Sequence, residues 1–274
     1  MTELTPQIIT GLPAAMKDRP RADFRPNEFD QAIVTKGYRM FWSRAGLCPC
    51  SNNDQTEQPK VTCPLCKGEG HYYFLPDEAL AAGATKDVFG NPVTLNEAGD
   101  AVQIYVLMTS MAQDTQIYEK FGEWTFGSAK VTVQHQNKLG YRDRLIAVDA
   151  EMTWAQIIEY DGSAVIPFVG ERNKHGLRYP FVKVYQLRSL AQIYREGVHF
   201  TLTADGEIEW LASQAPASGT RLSLHGTIHP RWIVMDHVNA YRDTLLDGGA
   251  GITSQQVRRL PVHAMAKLDF LVNP

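Results

Sequence analysis

Long apolar runs are missing from this 274-residue chain. No window approaches the roughly 18 apolar residues that a membrane-spanning helix needs, so no such helix is expected. The opening stretch MTELTPQIITGLPAAMKDRP has Glu3 where a secretory leader would carry basic residues before an apolar core, so no signal peptide is expected. Charge of one sign is missing too. With 27 Lys and Arg against 30 Asp and Glu, the net charge of −3 gives no global attraction to nucleic acid or to anionic membrane. Repeats of fixed period and low-complexity tracts are absent. A Gly-x-Ser-x-Gly elbow and a P-loop are also absent; GGAGITS has glycines but no Lys beside its Thr and Ser, and reads as a loop. Cysteine is scarce, and its distribution matters more than its number: all four fall within the nineteen positions from Cys48 to Cys66. A cytosolic chain keeps its thiols reduced, which favours a metal over disulfides for this cluster.

What is present is an ordinary globular composition, 44% hydrophobic and 21% charged. The length allows one large domain or two modest ones with a sizeable core. Residues 1–26 hold four prolines and little periodicity, and read as an extended arm that orders on a partner. Asn27 is placed to N-cap a helix running to about Arg44, with Glu28 and Asp30 in its first turn and Gly46 as its C-cap. After the cysteines, HYYF suits a strand and Asp77–Ala82 a short helix or turn, followed by a strand from Val102 to Met108. From about Trp124 the chain reads as mainly β, with strands in KVTVQH, RLIAVDAEMTW and YPFVKVYQL. VHFTLTADGEIEWL spells a hairpin turning at Asp205-Gly206, which RLSLHGTI is expected to extend to a three-stranded meander. WIVMDHV and VHAMAKLDFLV add further strands, with DGGAGITS a mobile loop between them. The expected fold is mainly β (α+β), a β-sandwich or barrel-like body with an N-terminal arm and helix and a small four-cysteine metal-binding loop. Its expected divisions are 1–46 for arm and helix, 47–75 for the metal knuckle, 76–190 for a β-rich body and 191–274 for a meander or sandwich-like part.

Cys48-x-Cys50, twelve residues, then Cys63-x-x-Cys66 is the pattern that carries chemistry. Zinc takes four thiolates at tetrahedral corners. In CPLCKG, two residues between the thiols let the backbone turn, and the following Gly lets main-chain N–H groups approach the sulfurs. The Cys48-Pro49-Cys50 half is tighter than a standard zinc ribbon. Four protein thiolates close the site, which makes Zn2+ structural rather than catalytic; iron in a rubredoxin-like tetrathiolate is the redox alternative. Lys60 and Lys67 are near enough in sequence to offset part of the excess charge of two. The intervening SNNDQTEQPK is too polar to fold on a core of its own, so it needs the clip. His71 reads as a neighbour of the site, although it could substitute as a ligand.

Other groupings read as structural. His225 and His229 are four apart, but Gly226 stands where a metalloprotease helix needs Glu. His199 and His263, with His225, read as sheet residues. Tyr141-Arg142-Asp143-Arg144 suggests either phosphate binding by the arginines or an intersubunit or strand-end salt bridge with Asp143 or Asp149, the latter favoured. Trp42, Trp124, Trp154, Trp210 and Trp232 read as core or interface anchors rather than a stacking platform. No catalytic constellation is present, so no enzyme is expected.

Several segments together resemble tailed-bacteriophage virion structural proteins: FRPNEFDQAIVTKGYRMFWSRAGLCPC, CPLCKGEGHYYF, KLGYRDRLIAVDAEMTWAQIIE and HGLRYPFVKV. REGVHFTLTADGEIEW with PASGTRLSLHGTIHPRWIV resembles β modules of head–tail connector and tail proteins. The resemblance implies a ring-forming neck or connector component between portal and tail. Its partners would be copies of itself in a cyclic homo-oligomer and neighbouring virion proteins such as portal, tail terminator, sheath or tube. Phage DNA would pass through the channel without sequence-specific binding. The implied location is the virion, assembled in the host bacterial cytoplasm. A tail-tube or baseplate protein is the alternative within the virion. A zinc-ribbon nucleic-acid-binding protein and a rubredoxin-like electron carrier are alternatives outside it. The first is disfavoured because Lys60 and Lys67 face Asp54, Glu57 and Glu69.

Overall fold

The computed structural model describes residues 26–272, apart from 52–58, 61–62, 67, 77–85, 87–92, 111–126, 170–173, 212–213, 240–242, 247–255 and 260. The arm at residues 1–25, the 77–82 turn, Trp124 and the 247–254 loop therefore lie outside the described residues.

A helix, α1 (Pro26–Lys36), is followed at once by strand β1 (Tyr38–Leu47). This corrects the helix expected to reach Arg44. The spacing of Phe29, Ile33, Gly37 and Met40 fits a helix, but Met40 and Trp42 are both buried two residues apart, the period of a strand. Gly37 makes the break. Its N–H closes the helix on the Ile33 carbonyl at 2.9 Å, and a Cβ there would lie 2.3 Å from that same oxygen. Gly46, expected to cap the helix, sits in β1 instead.

Strands β3 (Val102–Ser110), β4 (Ser128–Val133), β5 (Arg144–Ala147), β13 (Arg231–Asn239) and β16 (Val262–Leu268) join β1 in a closed barrel. The order is β1-β3-β4-β16-β13-β5 and back to β1, every pairing antiparallel, with β2 (His71–Phe74) added on the far end of β1. Closure removes the free edges that an open sheet leaves. Alternation sends Met40, Trp42, Ile104, Val106, Val131, Val133, Leu145 and Ala264 into one core. The last residues of VHAMAKLDFLV leave the sheet as a helical turn, α2 (Asp269–Val272).

Between β5 and β13 the chain builds a second core. β6 (Met152–Glu159), β12 (Arg221–Ile228), β8 (Phe181–Arg188) and β9 (Ile193–Tyr194) form one sheet in that order. β10 (Phe200–Leu202), β11 (Ile208–Trp210) and β7 (Val165–Ile166) form the other. Ile158, Ile166, Leu187, Phe200, Ile208, Leu222 and Leu224 are buried together in the core the two sheets share. The hairpin expected at Asp205-Gly206 forms, with Leu202 opposite Ile208 and Gly206 in the left-handed region. Its third strand is a correction: β11 pairs with β7, while RLSLHGTI becomes β12 in the opposite sheet. β6 and β8 take both edges of β12, and Leu222, Leu224 and Ile228 face the shared core from that opposite sheet. The expected division at 190 and 191 falls between the paired strands β8 and β9, inside this second core.

β5 and β13 are barrel neighbours, so this inserted unit leaves and returns at one place, where Ala147 N–H donates to Pro230 O at 3.0 Å. Cationic stacking covers the seam. The Arg231 guanidinium lies 5.1 Å from the Phe168 ring centre and 5.2 Å from that of Tyr179. Burial, then the nearby Arg144, pulls its pKa down to about 10. Trp154 of the inserted unit meets Phe270 of α2 with ring centres 5.3 Å apart.

Candidate metal centre

The cysteine loop hangs between two strands that the barrel already positions. Cys48 follows β1 directly, Pro49–Ser51 form a short 3-10 turn, and the chain comes back as β2. β2 pairs antiparallel with the end of β1, Leu47 opposite His71 and Arg44 opposite Phe74. Cys48 N–H then donates to Gly70 O at 2.8 Å, which extends the ladder into the knuckle itself. Gly46 has a packing role here. The Tyr72 ring lies over it, and a Cβ on residue 46 would meet ring carbons at 2.7 Å. Tyr73 carries the Arg144 guanidinium at 3.9 Å from its ring centre, fixing β2 to β5.

Four sulfurs converge. Cys48, Cys50, Cys63 and Cys66 place their Sγ atoms within 4.8 Å of one another. Cys48 Sγ is 3.7 Å from Cys63 Sγ, and Cys50 Sγ is 3.4 Å from Cys66 Sγ. A tetrahedral ion with metal–sulfur bonds of about 2.3 Å requires sulfur–sulfur separations of about 3.8 Å. The set therefore fits a metal ion without rearrangement of the backbone. Cys48 and Cys66 are buried and the other two half-buried.

Main-chain donors surround these sulfurs. The N–H of Cys66, then that of Leu65, hold the Cys63 thiol down to about 6. Burial pushes the Cys66 thiol up, opposed by the N–H groups of Gly70 and Gly68. Those glycines have φ of +79° and +92°, the left-handed region that lets a turn point its amides inward. Burial likewise raises the Cys50 thiol, against the N–H of Lys60. Such donors stabilise thiolates, the form that binds a metal. With four sulfurs around one point, the protein supplies every corner of a tetrahedron, which describes a structural site.

His71 lies outside the group. Its Nδ1 is 3.4 Å from Glu69 O, and burial first, then Arg142, lowers its pKa. Lys67 lies outside the described residues. Among the described residues no further histidines converge on a common point. His225 is exposed on β12 with its ring centre 5.9 Å from that of Tyr185, while His229 Nδ1 is 3.1 Å from Ala150 O. His199 sits in the turn before β10 rather than in a strand, its Nδ1 accepting from Arg195 N–H at 2.9 Å, and His263 bonds Thr132 at 2.8 Å. Trp42 and Trp210 are buried, Trp154 and Trp232 half-buried.

Within the chain, the strand-end salt bridges favoured for Arg142 and Arg144 are corrected. Asp149 instead takes Arg39, whose Nε lies 2.8 Å from Oδ2. Asp143, 1% exposed, accepts from Trp42 Nε1 at 2.7 Å, Gly140 N–H at 2.6 Å and Ala45 N–H at 3.0 Å. It is a clamp on the end of β1, three residues before Cys48. Sequence reasoning missed it because a charged tetrapeptide suggests partners of opposite charge. The one available signal was Gly140 three residues ahead, a spacing at which an Asp side chain closes a turn on a backbone N–H.

The chain matches no described protein family, and no curated protein sequence matches it.

Proposed function

We propose that this chain is a structural subunit of a tailed-phage virion, a ring-forming connector or neck protein between portal and tail, in which Cys48, Cys50, Cys63 and Cys66 hold zinc. The convergence of four thiols within 4.8 Å carries the metal half of this reading. A tetrathiolate leaves no coordination position for a substrate, so its work is to hold a polar loop in shape. The virion half rests on the resemblance of the segments around the cysteines and of the 138–159 stretch. The architecture supports it in one respect. A closed barrel with an inserted β unit that exposes Tyr185, Leu190 and Ile193 suits side-by-side contacts between unlike surfaces, the kind that close into rings.

Elemental analysis of the purified chain, with immunogold labelling of the phage particles that carry it, tests both halves. One zinc per chain and label at the head–tail junction are expected. Iron with a reversible colour change would replace zinc by the redox alternative. Label along detached tails would move the protein to the tube or baseplate. A chain that stays monomeric at high concentration and labels no particle would overturn the virion reading.

A further inference from the structure

The turn after β9 opens a groove in the inserted unit. β9 pairs with β8 at two positions only, Tyr194 with Leu187 and Ile193 with Arg188. Beyond Tyr194 the chain bends off. Arg195 N–H donates to His199 Nδ1 at 2.9 Å, and Gly197, with φ of +76°, donates its N–H to Phe200 O at 2.8 Å. This tight turn leaves a groove of about 560 Å³ between residues 193–196 and the 184–187 stretch of β8. Its volume is that of an ordinary small-molecule site. The remaining strands, β14 (Asp243–Leu246) and β15 (Gln256–Arg259), pair with each other and contribute no residue to it.

The groove has an apolar floor and a polar rim. Leu187, Tyr194 and Phe200 line it and are buried. Gln186, Arg195, Glu196 and His225 line it and are exposed. Among the described residues, none of these four side chains has a hydrogen bond or an ion pair. Tyr194 is 6% exposed, and its hydroxyl likewise has no partner among the described residues. A buried hydroxyl is costly without a hydrogen bond, so a molecule from outside the chain has to complete it. Tyr185, at the rim, is 54% exposed. The His225 ring centre, 5.9 Å from its own, and Lys183 Nζ, 5.5 Å from it, hold that ring in place.

The chemistry of this lining selects among ligands. A metal ion would find no ligand set, because the four cysteines are the one such group among the described residues. A phosphate would meet the carboxylate of Glu196 beside the guanidinium of Arg195. Amide, imidazole, guanidinium, carboxylate and phenol together offer both donors and acceptors with no surplus of charge. Sugar hydroxyls, which donate and accept at once, match that mixture. The C–H face of a sugar ring matches the open Tyr185 ring and the apolar floor. We propose that this groove binds a neutral oligosaccharide, with Tyr185 as the platform and Gln186, Tyr194, Arg195, Glu196 and His225 as its hydrogen-bonding partners. The inference goes beyond the connector function. It assigns the groove to a part of the inserted unit that contact between copies leaves open.

Calorimetric titration of the full chain with neutral oligosaccharides of glucose, galactose, mannose, rhamnose and N-acetylglucosamine tests it. At least one of these should bind with a Kd below about 1 mM. Tyr185→Ala should weaken that binding about tenfold through loss of the ring face. Tyr194→Phe, which removes only the hydroxyl, should weaken it roughly three- to tenfold. Circular dichroism should show both variants as folded as the parent. Tyr141→Ala, which removes an exposed ring ahead of β5, should leave binding unchanged. Added salt should also leave it unchanged, since no charge on the ligand is used. Failure of every oligosaccharide to bind overturns the inference, as does binding that neither the Tyr185 nor the Tyr194 variant weakens. Tighter binding of inorganic phosphate, lost as salt is added, would make the groove an anion site and overturns it too. The connector function fails separately, on the absence of label at the neck, whatever the titration shows.

Discussion

Replacing Asp143 by Ala tests whether one carboxylate holds the barrel to its metal knuckle. The side chain is 1% exposed and accepts three hydrogen bonds, from Trp42 Nε1, Gly140 N–H and Ala45 N–H. A bond to an ionised acceptor is worth about 1.5–3 kcal/mol net, and a buried donor left without a partner costs about 1–3 kcal/mol. The three share one group, so their losses overlap. The expected cost is roughly 3–6 kcal/mol, a large part of the roughly 5–15 kcal/mol that holds an ordinary domain folded. Asp143→Asn should cost less. The oxygen that serves both Trp42 and Gly140 can remain, while an amide now faces the Ala45 donor; about 1–3 kcal/mol is expected. Trp42→Phe removes one donor and leaves the carboxylate two. Urea unfolding followed by circular dichroism measures all three. Because Ala45 lies three residues before Cys48, Asp143→Ala should also speed metal loss to a chromogenic chelator. An Asp143→Ala chain within about 1 kcal/mol of the parent, or with unchanged metal release, would refute the clamp.

Chelation of the metal, or Cys63→Ser with Cys66→Ser, should lower the metal content to below half and destabilise residues 48–74, seen as faster amide exchange there than in β13. Equal exchange would remove the clip. Gly37→Ala forces a Cβ to 2.3 Å from Ile33 O and should cost roughly 2–4 kcal/mol in urea unfolding; a neutral result would show that the helix-to-strand break does not depend on glycine. The Arg39 guanidinium, by hydrogen bond first, holds Asp149 below the usual carboxylate range. A carboxylate depressed in the folded state stabilises above its unfolded pKa of about 4, and that contribution disappears as pH falls through the folded value. Arg39→Ala should therefore lower the unfolding midpoint at pH 6 and converge with the parent toward pH 2. Parallel curves across that range would exclude the linkage.

Legibility in the sequence followed the range of the interactions. HYYF, Val102–Met108 and the Asp205-Gly206 hairpin were readable because alternation and a turn residue act within a few positions. The helix expected to Arg44 failed for a long-range reason. Tyr38–Leu47 can satisfy a helical spacing, but β3 on one side and β5, more than a hundred residues on, supply hydrogen-bonding partners on the other. RLSLHGTI failed likewise. Its neighbours in sequence invite a meander, yet β6 and β8 take both of its edges over eight paired positions on the first alone. Local pattern identifies a strand and leaves its partners open.

The four cysteines were legible for the opposite reason, since a metal site needs a residue type that the rest of the chain does not contain. The groups that seat it were not. The N–H donors of Leu65, Cys66, Gly68 and Gly70 carry no side-chain signature, and Asp143 acts on β1 from about a hundred positions away. This explains how so polar a loop can be spliced into a barrel. Both additions to the barrel begin and end at strands that already touch. The knuckle runs from β1 to its partner β2, and the large inserted unit from β5 to its partner β13. An insertion between adjacent strand ends closes over a short span and leaves the barrel's register untouched. The knuckle, whose described residues belong to neither hydrophobic core, then needs only the metal and the β1–β2 ladder to be ordered, whereas the inserted unit carries Leu222, Leu224 and Ile208 and supplies its own core. Loss of the metal should therefore loosen the first addition and leave the second intact.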